Sequence, residues 1–299
     1  MKEIKNVLIC GIGAIGSIYA DIINKYSPDN LRVLVDKTRL DKYLKNPIVF
    51  NGKNLNLNYI LPDDKSFKAD LVIIATKYDG LKDAVKNLEN FVYEDTLILS
   101  LLNGVTSEKI IAEKYGKGKL LYSYFIGHSA VRKDNCVTQD GVHTVVFGSF
   151  ESDNSVRVKN YFDKVGINYL IPDDIIYSMW SKFMLNVAAN QITAILRFTF
   201  GEMLSNKMCM ELAVNVMKEV QLIAKAEGVK NSENLIDDTL KHLQTMTPEG
   251  KTSMLQDIEA KRKTEVDMFA GVIIDLGKKH NIETPYNKTL FELLKALES

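Results

Sequence analysis

The chain has 299 residues, with 38 Lys and Arg against 38 Asp and Glu, so its formal net charge is 38 − 38 = 0. Hydrophobic residues make up 46% and charged residues 25%, which excludes a disordered chain, and the balanced charge leaves no overall basic field for nucleic acid or an anionic membrane. At the usual ~150 residues per domain, this length suggests two domains.

The basic start, Lys2 and Lys5 ahead of an apolar stretch from Val7, superficially resembles a secretory leader. Glu3 and the glycines that follow interrupt it, so a buried first strand is the preferred reading. Strand Val7 to Cys10 runs directly into Gly11-Ile12-Gly13-Ala14-Ile15-Gly16, a G-x-G-x-x-G that opens a helix over Ile15 to Lys25. Gly11 permits the tight turn, Gly13 lets the backbone approach a pyrophosphate, and Gly16 lets helix and strand pack closely. The helix N-terminus adds unpaired N–H groups and a positive dipole end, so the six residues are read as a dinucleotide site. Asp36 ends the second strand, Leu31 to Val35, where a carboxylate accepts from the adenosine ribose and repels a 2′-phosphate, favouring NADH. Lys37 and Arg39 follow at once and would hold a 2′-phosphate if Asp36 turned away; alternatively all three are solvated loop charges.

Further apolar runs, Leu71 to Ala75, Thr96 to Leu102, Lys119 to Phe125 and His143 to Gly148, read as buried strands, and Gly80 to Leu88 as a helix between them. This alternation predicts a parallel, doubly wound sheet. Leu102-Asn103-Gly104-Val105 should lie at the sheet's carboxyl edge, lining a cofactor crevice, although Asn-Gly is also a common turn. The three cysteines, Cys10, Cys136 and Cys209, are odd in number and scattered, pointing to a reducing, cytoplasmic setting.

Beyond Pro172 the strand pattern stops, giving expected domains of 1–171 and 172–299. Asp174 to Phe198 reads as one long helix capped by Asp173 or Asp174. At ~100° per residue, Lys182, Asn186, Asn190 and Thr193 fall within ~80° of one another. This stripe is either a solvated face or a site for a carbonyl or carboxylate ligand. Leu212, Val216, Val220 and Ile223 mark an amphipathic helix stopping at Gly228, and Val266, Phe269, Ile273 and Leu276 mark another. Ser253 with Gln256 fits a capping box, and Glu265 could pair with Lys261, Arg262 or Lys263. No stretch approaches the ~20 apolar residues of a membrane span, no metal-ligand cluster is evident, and no nucleic-acid or membrane partner is expected.

Taken together, the N-terminal glycines, Lys182 with Asn186 and Asn190, Ser253-Met-Leu-Gln-Asp-Ile and Thr264-Glu265 resemble the ketopantoate reductase family over nearly the whole chain. The resemblance implies an α/β N-terminal Rossmann-type doubly wound sheet plus an all-α C-terminal domain, with the active site in a cleft between them. It implies NADPH-dependent reduction of 2-dehydropantoate to (R)-pantoate in pantothenate biosynthesis, on the coenzyme A pathway. By the same resemblance Lys182 is the proton donor to the ketone oxygen and Glu265 the acid near it. Asn186, Asn190 and Ser253 match substrate-binding positions, Thr76-Lys77 a cofactor contact, and Asn103 the nicotinamide end, beside cofactor and substrate. Asp36 departs from the basic residue many relatives carry after this strand, which leaves NADPH against NADH open. Two rival readings are a reductase of another 2-oxo acid or an imine, and a dinucleotide sensor without turnover. The partner expected is a small 2-oxo acid, with the chain a monomer or a homodimer through its helical domain.

Overall fold

The computed structural model describes residues 2–127 and 130–298. The chain divides into two compact units, Met1–Ile175 and Ile176–Ser299. The division falls 175 − 171 = 4 residues beyond the expected boundary. Ile175 belongs with the first unit because its side chain fills the space beside Gly148, where a Cβ would lie 2.9 Å from that of Ile175.

In the first unit the strands are β1 (Val7–Cys10), β2 (Leu31–Leu34), β3 (Val49–Phe50), β4 (Lys53–Asn54), β5 (Tyr59–Ile60), β6 (Leu71–Ile74), β7 (Leu97–Ser100), β8 (Leu120–Gly127), β9 (Ala130–Lys133), β10 (Cys136–Gln139), β11 (His143–Gly148) and β12 (Tyr169–Leu170). The helices are α1 (Ala14–Tyr26), α2 (Lys37–Lys45), α3 (Leu81–Asn87), α4 (Ser107–Tyr115) and α5 (Ser152–Val165). An eight-stranded sheet runs in the order β12-β11-β8-β7-β6-β1-β2-β5. β1 pairs in parallel with β2 on one side and β6 on the other, Val7 opposite Leu31 and Leu71. It therefore sits where the winding reverses, the position at which doubly wound sheets open a ligand crevice. Val7, Leu8 and Ile9 are 0% exposed, as befits a strand covered on both faces, and each such side chain contributes roughly 1.5–3 kcal/mol by leaving water.

The sheet departs from the all-parallel expectation at β11, which runs antiparallel to β8 with His143 opposite Gly127. Among its described residues, the short link between these strands holds the β9–β10 hairpin and no crossover helix, and without a crossover only antiparallel pairing is accessible. That hairpin joins a second sheet, β4-β3-β10-β9, which packs against α1 and which the apolar runs did not foreshadow.

The second unit is helical: α6 (Ile175–Leu185, beginning at the boundary), α7 (Gln191–Leu196), α8 (Phe200–Ser205), α9 (Lys207–Ala226), α10 (Leu235–Leu243), α11 (Ser253–Glu259), α12 (Ala270–His280) and α13 (Pro285–Glu298). Three expectations are corrected here. First, the single helix over 174–198 is interrupted by a π-helical stretch, Asn186–Asn190, and ends at Arg197 in the left-handed conformation, φ 58°. Side chains serve two carbonyls of the wide turn, Gln191 Nε2 donating to Val187 O (2.7 Å) and Thr193 Oγ1 to Ala189 O (2.7 Å). Second, Val266–Met268 is a 3-10 turn, and α12 begins only after Phe269, whose ψ of −88° breaks the helix. Third, the cap of α11 is Thr252, not Ser253.

Thr252 Oγ1 accepts from the Leu255 amide (3.3 Å) and shares a 2.8 Å hydrogen bond with Thr193 Oγ1. Gln256 reaches back to the Lys251 carbonyl (3.2 Å), so no capping box closes on Ser253. The buried partner at Thr193 decides the cap, because an exposed serine one residue later has nothing comparable to hold. Thr252→Ala should therefore destabilise the chain by about 1–2 kcal/mol in urea unfolding. Ser253→Ala should leave the unfolding midpoint in place.

Candidate functional site

The turn after β1 is built by exclusion of side chains. Gly11 has φ 101°, and a Cβ there would stand 2.6 Å from the Ala75 carbonyl carbon. A Cβ on Gly16 would lie 1.9 Å from Gly11 O, so helix and strand touch backbone to backbone. Gly13 differs from both: the nearest atom to its Cβ would be Ala75 O at 4.0 Å, which leaves the space above it for a ligand. The first α1 amide with a backbone acceptor is Ser17, on Gly13 O (3.1 Å), and the first turn carries no acidic residue or side-chain cap. Among the described residues, the N–H groups of Ala14, Ile15 and Gly16 reach no backbone carbonyl, the arrangement that binds phosphate.

The other expected cofactor residues follow β2, β6 and β7, strands that neighbour β1 or each other in the sheet. Asp36 is the N-cap of α2 and accepts from the Arg39 amide (2.7 Å), while its second oxygen pairs with the Arg39 guanidinium (3.1 Å). Lys37 pairs with Asp41 (3.1 Å), so the three charges lie on the exposed start of a helix, not in a loop. Thr76 lies two residues past the end of β6, its amide 2.7 Å from where a Gly11 Cβ would be, and its buried Oγ1 has no hydrogen-bond partner. Such an orphaned hydroxyl at a phosphate turn fits a site that a ligand completes. Lys77 is exposed and precedes a 3-10 turn. Asn103 is part-buried, ahead of Gly104 at φ 90°, in a loop whose base is tied by Ser100 Oγ donating to Ser107 Oγ (2.9 Å). Ser107 in turn donates to Glu108 (2.9 Å), and burial pushes that carboxyl up to about 7.

In the second unit, Lys182 and Asn186 are part-buried while Asn190 is 4% exposed and Thr193 fully buried, so the polar stripe is not a solvated face. Desolvation pulls the Lys182 ammonium down to about 8, and the Glu265 carboxylate partly counters it. Two of the basic residues near Glu265 in sequence have acidic partners of their own: Arg262 binds Asp257 (2.7 Å) and Lys263 pairs with Asp267 (3.9 Å). Glu265 is steadied through Thr264, whose amide and hydroxyl both donate to Glu298 at 2.6 Å. The Thr193–Thr252 bond ties the stripe to the start of α11, where Ser253 is exposed. Lys182, Glu265 and the Ser253 turn are thus assembled within one unit.

Arg132 is the residue that sequence reasoning passed over. It sits on β9 and donates through Nη1 to the Ile12 carbonyl inside the glycine turn. The available signal was the Asp134-Asn135 pair between two short alternating runs, a hairpin pattern.

The glycine geometry separates two substitutions. Gly16→Ala should unfold the chain or lower its melting temperature sharply, because backbone is what its Cβ would strike. Gly13→Ala should melt as the parent does. Thermal unfolding of the two variants checks both.

The sequence matches the family described as ketopantoate reductase PanE/ApbA over residues 7–152, and that family's C-terminal domain over 174–298. It is 30% identical over 299 residues to a 2-dehydropantoate 2-reductase of Pyrococcus horikoshii, covering 98% of this chain and 97% of that one. A Streptococcus pyogenes protein of the same name is 24% identical over 98% of each chain. Among solved structures, D-mandelate dehydrogenase with NADH and anilino(oxo)acetate superposes with a TM-score of 0.84 at 24% identity over 98% of each chain. The 2-dehydropantoate 2-reductase of Geobacter metallireducens superposes at 0.80 with 21% identity, over 97% of this chain and 99% of that one. With both halves of the sequence matched, the chain belongs to the ketopantoate reductase family of oxidoreductases.

Proposed function

We propose that this chain reduces 2-dehydropantoate to (R)-pantoate with a nicotinamide dinucleotide, and the observation that carries the proposal is the desolvated Lys182 beside Glu265. The residues around Gly11–Gly16 fit such a cofactor: open space at Gly13, unpartnered first-turn amides and an orphaned Thr76 hydroxyl. In this reading Ile12, Ala14 and Ile15 line the same turn with Thr76, whose amide is next to Gly11, and Lys77 and Asn103 contact the cofactor further along. The bound nicotinamide supplies the hydride, and the protein supplies orientation and the proton. As charge builds on the ketone oxygen, the Lys182 ammonium stabilises it and then donates its proton. An ordinary lysine is a reluctant acid, and lowering it to about 8 brings donation within reach of neutral pH. Asn186, Asn190 and Ser253 hold the substrate's carboxylate and hydroxyl without adding a second full charge.

At the adenosine end we assign NADH as the preferred form. Asp36 is held in place by its capping bond, so a 2′-phosphate would meet a fixed carboxylate, while Arg39 and Lys37 already have acidic partners. The three free cysteines support a reducing, cytoplasmic setting. The D-mandelate dehydrogenase likeness favours a second reading, in which a 2-oxo acid bearing an aromatic group is the substrate. Initial rates with 2-dehydropantoate against aromatic 2-oxo acids decide between them, and saturable cofactor binding with no turnover on any of these acids would refute both.

Lys182→Ala should lower kcat by at least ~10²-fold with the fold intact, the scale of a lost general acid. Because Lys182 acts protonated, kcat should fall as pH rises past about 8. Glu265 raises that value, so Glu265→Gln should move the alkaline limb of the pH profile to lower pH. Initial-rate assays should favour NADH over NADPH, and Asp36→Ala should narrow the preference by roughly tenfold.

A further inference from the structure

We propose that Arg132 is a positioning residue for the cofactor's phosphates, acting through the Ile12 carbonyl; the inference rests on the assignment of Gly11–Gly16 as the dinucleotide site. Three observations carry it. The first is the contact itself, between the second sheet and a carbonyl 120 positions earlier in the chain. The peptide that carries this carbonyl is trans, so its C=O and N–H point in opposite directions, and holding the Ile12 carbonyl fixes where the Gly13 N–H is aimed. That amide leads into the unpartnered donors of the α1 first turn.

The second observation is how firmly the guanidinium is placed. Nε donates to Asp134 O (2.8 Å) and the group lies 5.8 Å from the centre of the Tyr43 ring, while the hairpin that carries it packs on α1. A planar fork can serve such separate directions at once, which an ammonium cannot.

The third is its charge. Arg132 is part-buried and forms no ion pair with a carboxylate among the described residues. It stands beside the positive end of α1, whose first turn has no acidic residue. A cation there is opposed by the helix dipole until an anion arrives, so a bound pyrophosphate would relieve what the protein alone leaves uncompensated.

The test compares ligands with and without phosphate on the full-length chain, using equilibrium titration of NADH, ADP and adenosine. Arg132→Met should weaken NADH and ADP about tenfold and leave adenosine unchanged, with KM for the cofactor raised and kcat kept. Arg132→Lys should recover only part of the ADP affinity, and it provides the same comparison if the Met variant fails to fold. An equal loss for adenosine would make Arg132 purely structural, and unchanged ADP binding would remove it from the site. Wild-type protein that bound neither NADH nor ADP would instead overturn the assignment of the glycine turn itself.

Discussion

Three backbones meet at one point with no room for a side chain between them: the end of β1 at Gly11, the first turn of α1 at Gly16, and the Ala75–Thr76 peptide after β6. The Ala75 amide donates to the Cys10 carbonyl (2.8 Å), which continues the pairing past the last ladder residues and brings the two strand ends level. From that approach follow the direction of α1, the exposure of its first amides, and the setting of Thr76. The sheet is rigid beneath it because β1 is buried on both faces. A pyrophosphate site needs backbone donors more than side chains, and this crossing presents them.

Most of that arrangement could be read in the sequence, because each part is local. An apolar tetrapeptide followed at once by G-x-G-x-x-G has few physical meanings, and β1 begins and ends at Val7 and Cys10 as expected. Elements set by distant partners were not legible. β3 and β4 are two residues long each; they pair locally with each other, and only the pairing of Val49 with Cys136, far along the chain, joins them to the β9–β10 hairpin as a sheet. Arg132 was hidden with them. The cap of α11 illustrates the same limit on a smaller scale. Thr252 and Ser253 are both good capping residues, Ser253 had the matching Gln256, and a buried hydroxyl on another helix settled the choice.

The two ends of the proposed reaction use charge in opposite ways. At the adenosine end the charges are exposed and paired, Asp36 with Arg39 and Lys37 with Asp41, so screening by salt weakens them and position matters more than strength. At the reacting end few charges remain, and burial does the work. Lys182 loses solvation and moves toward neutrality, and Glu265 limits the shift, so the pair sets how readily a proton leaves. A net charge of zero over the chain says nothing about either arrangement.

The π-helical stretch between Lys182 and Asn190 has a consequence for how this site can change. A π turn holds one residue more than an α turn for nearly the same advance along the axis. A deletion in most helices, α9 for example, would rotate every later residue by about 100° and turn buried side chains outward. A single deletion within Asn186–Asn190 could instead be absorbed as a return to α pitch, leaving α6 and α7 on their present faces. Chain length at this one place therefore tunes the spacing between Lys182, the proposed proton donor, and the amides that follow it, while the core of the helical unit stays as it is.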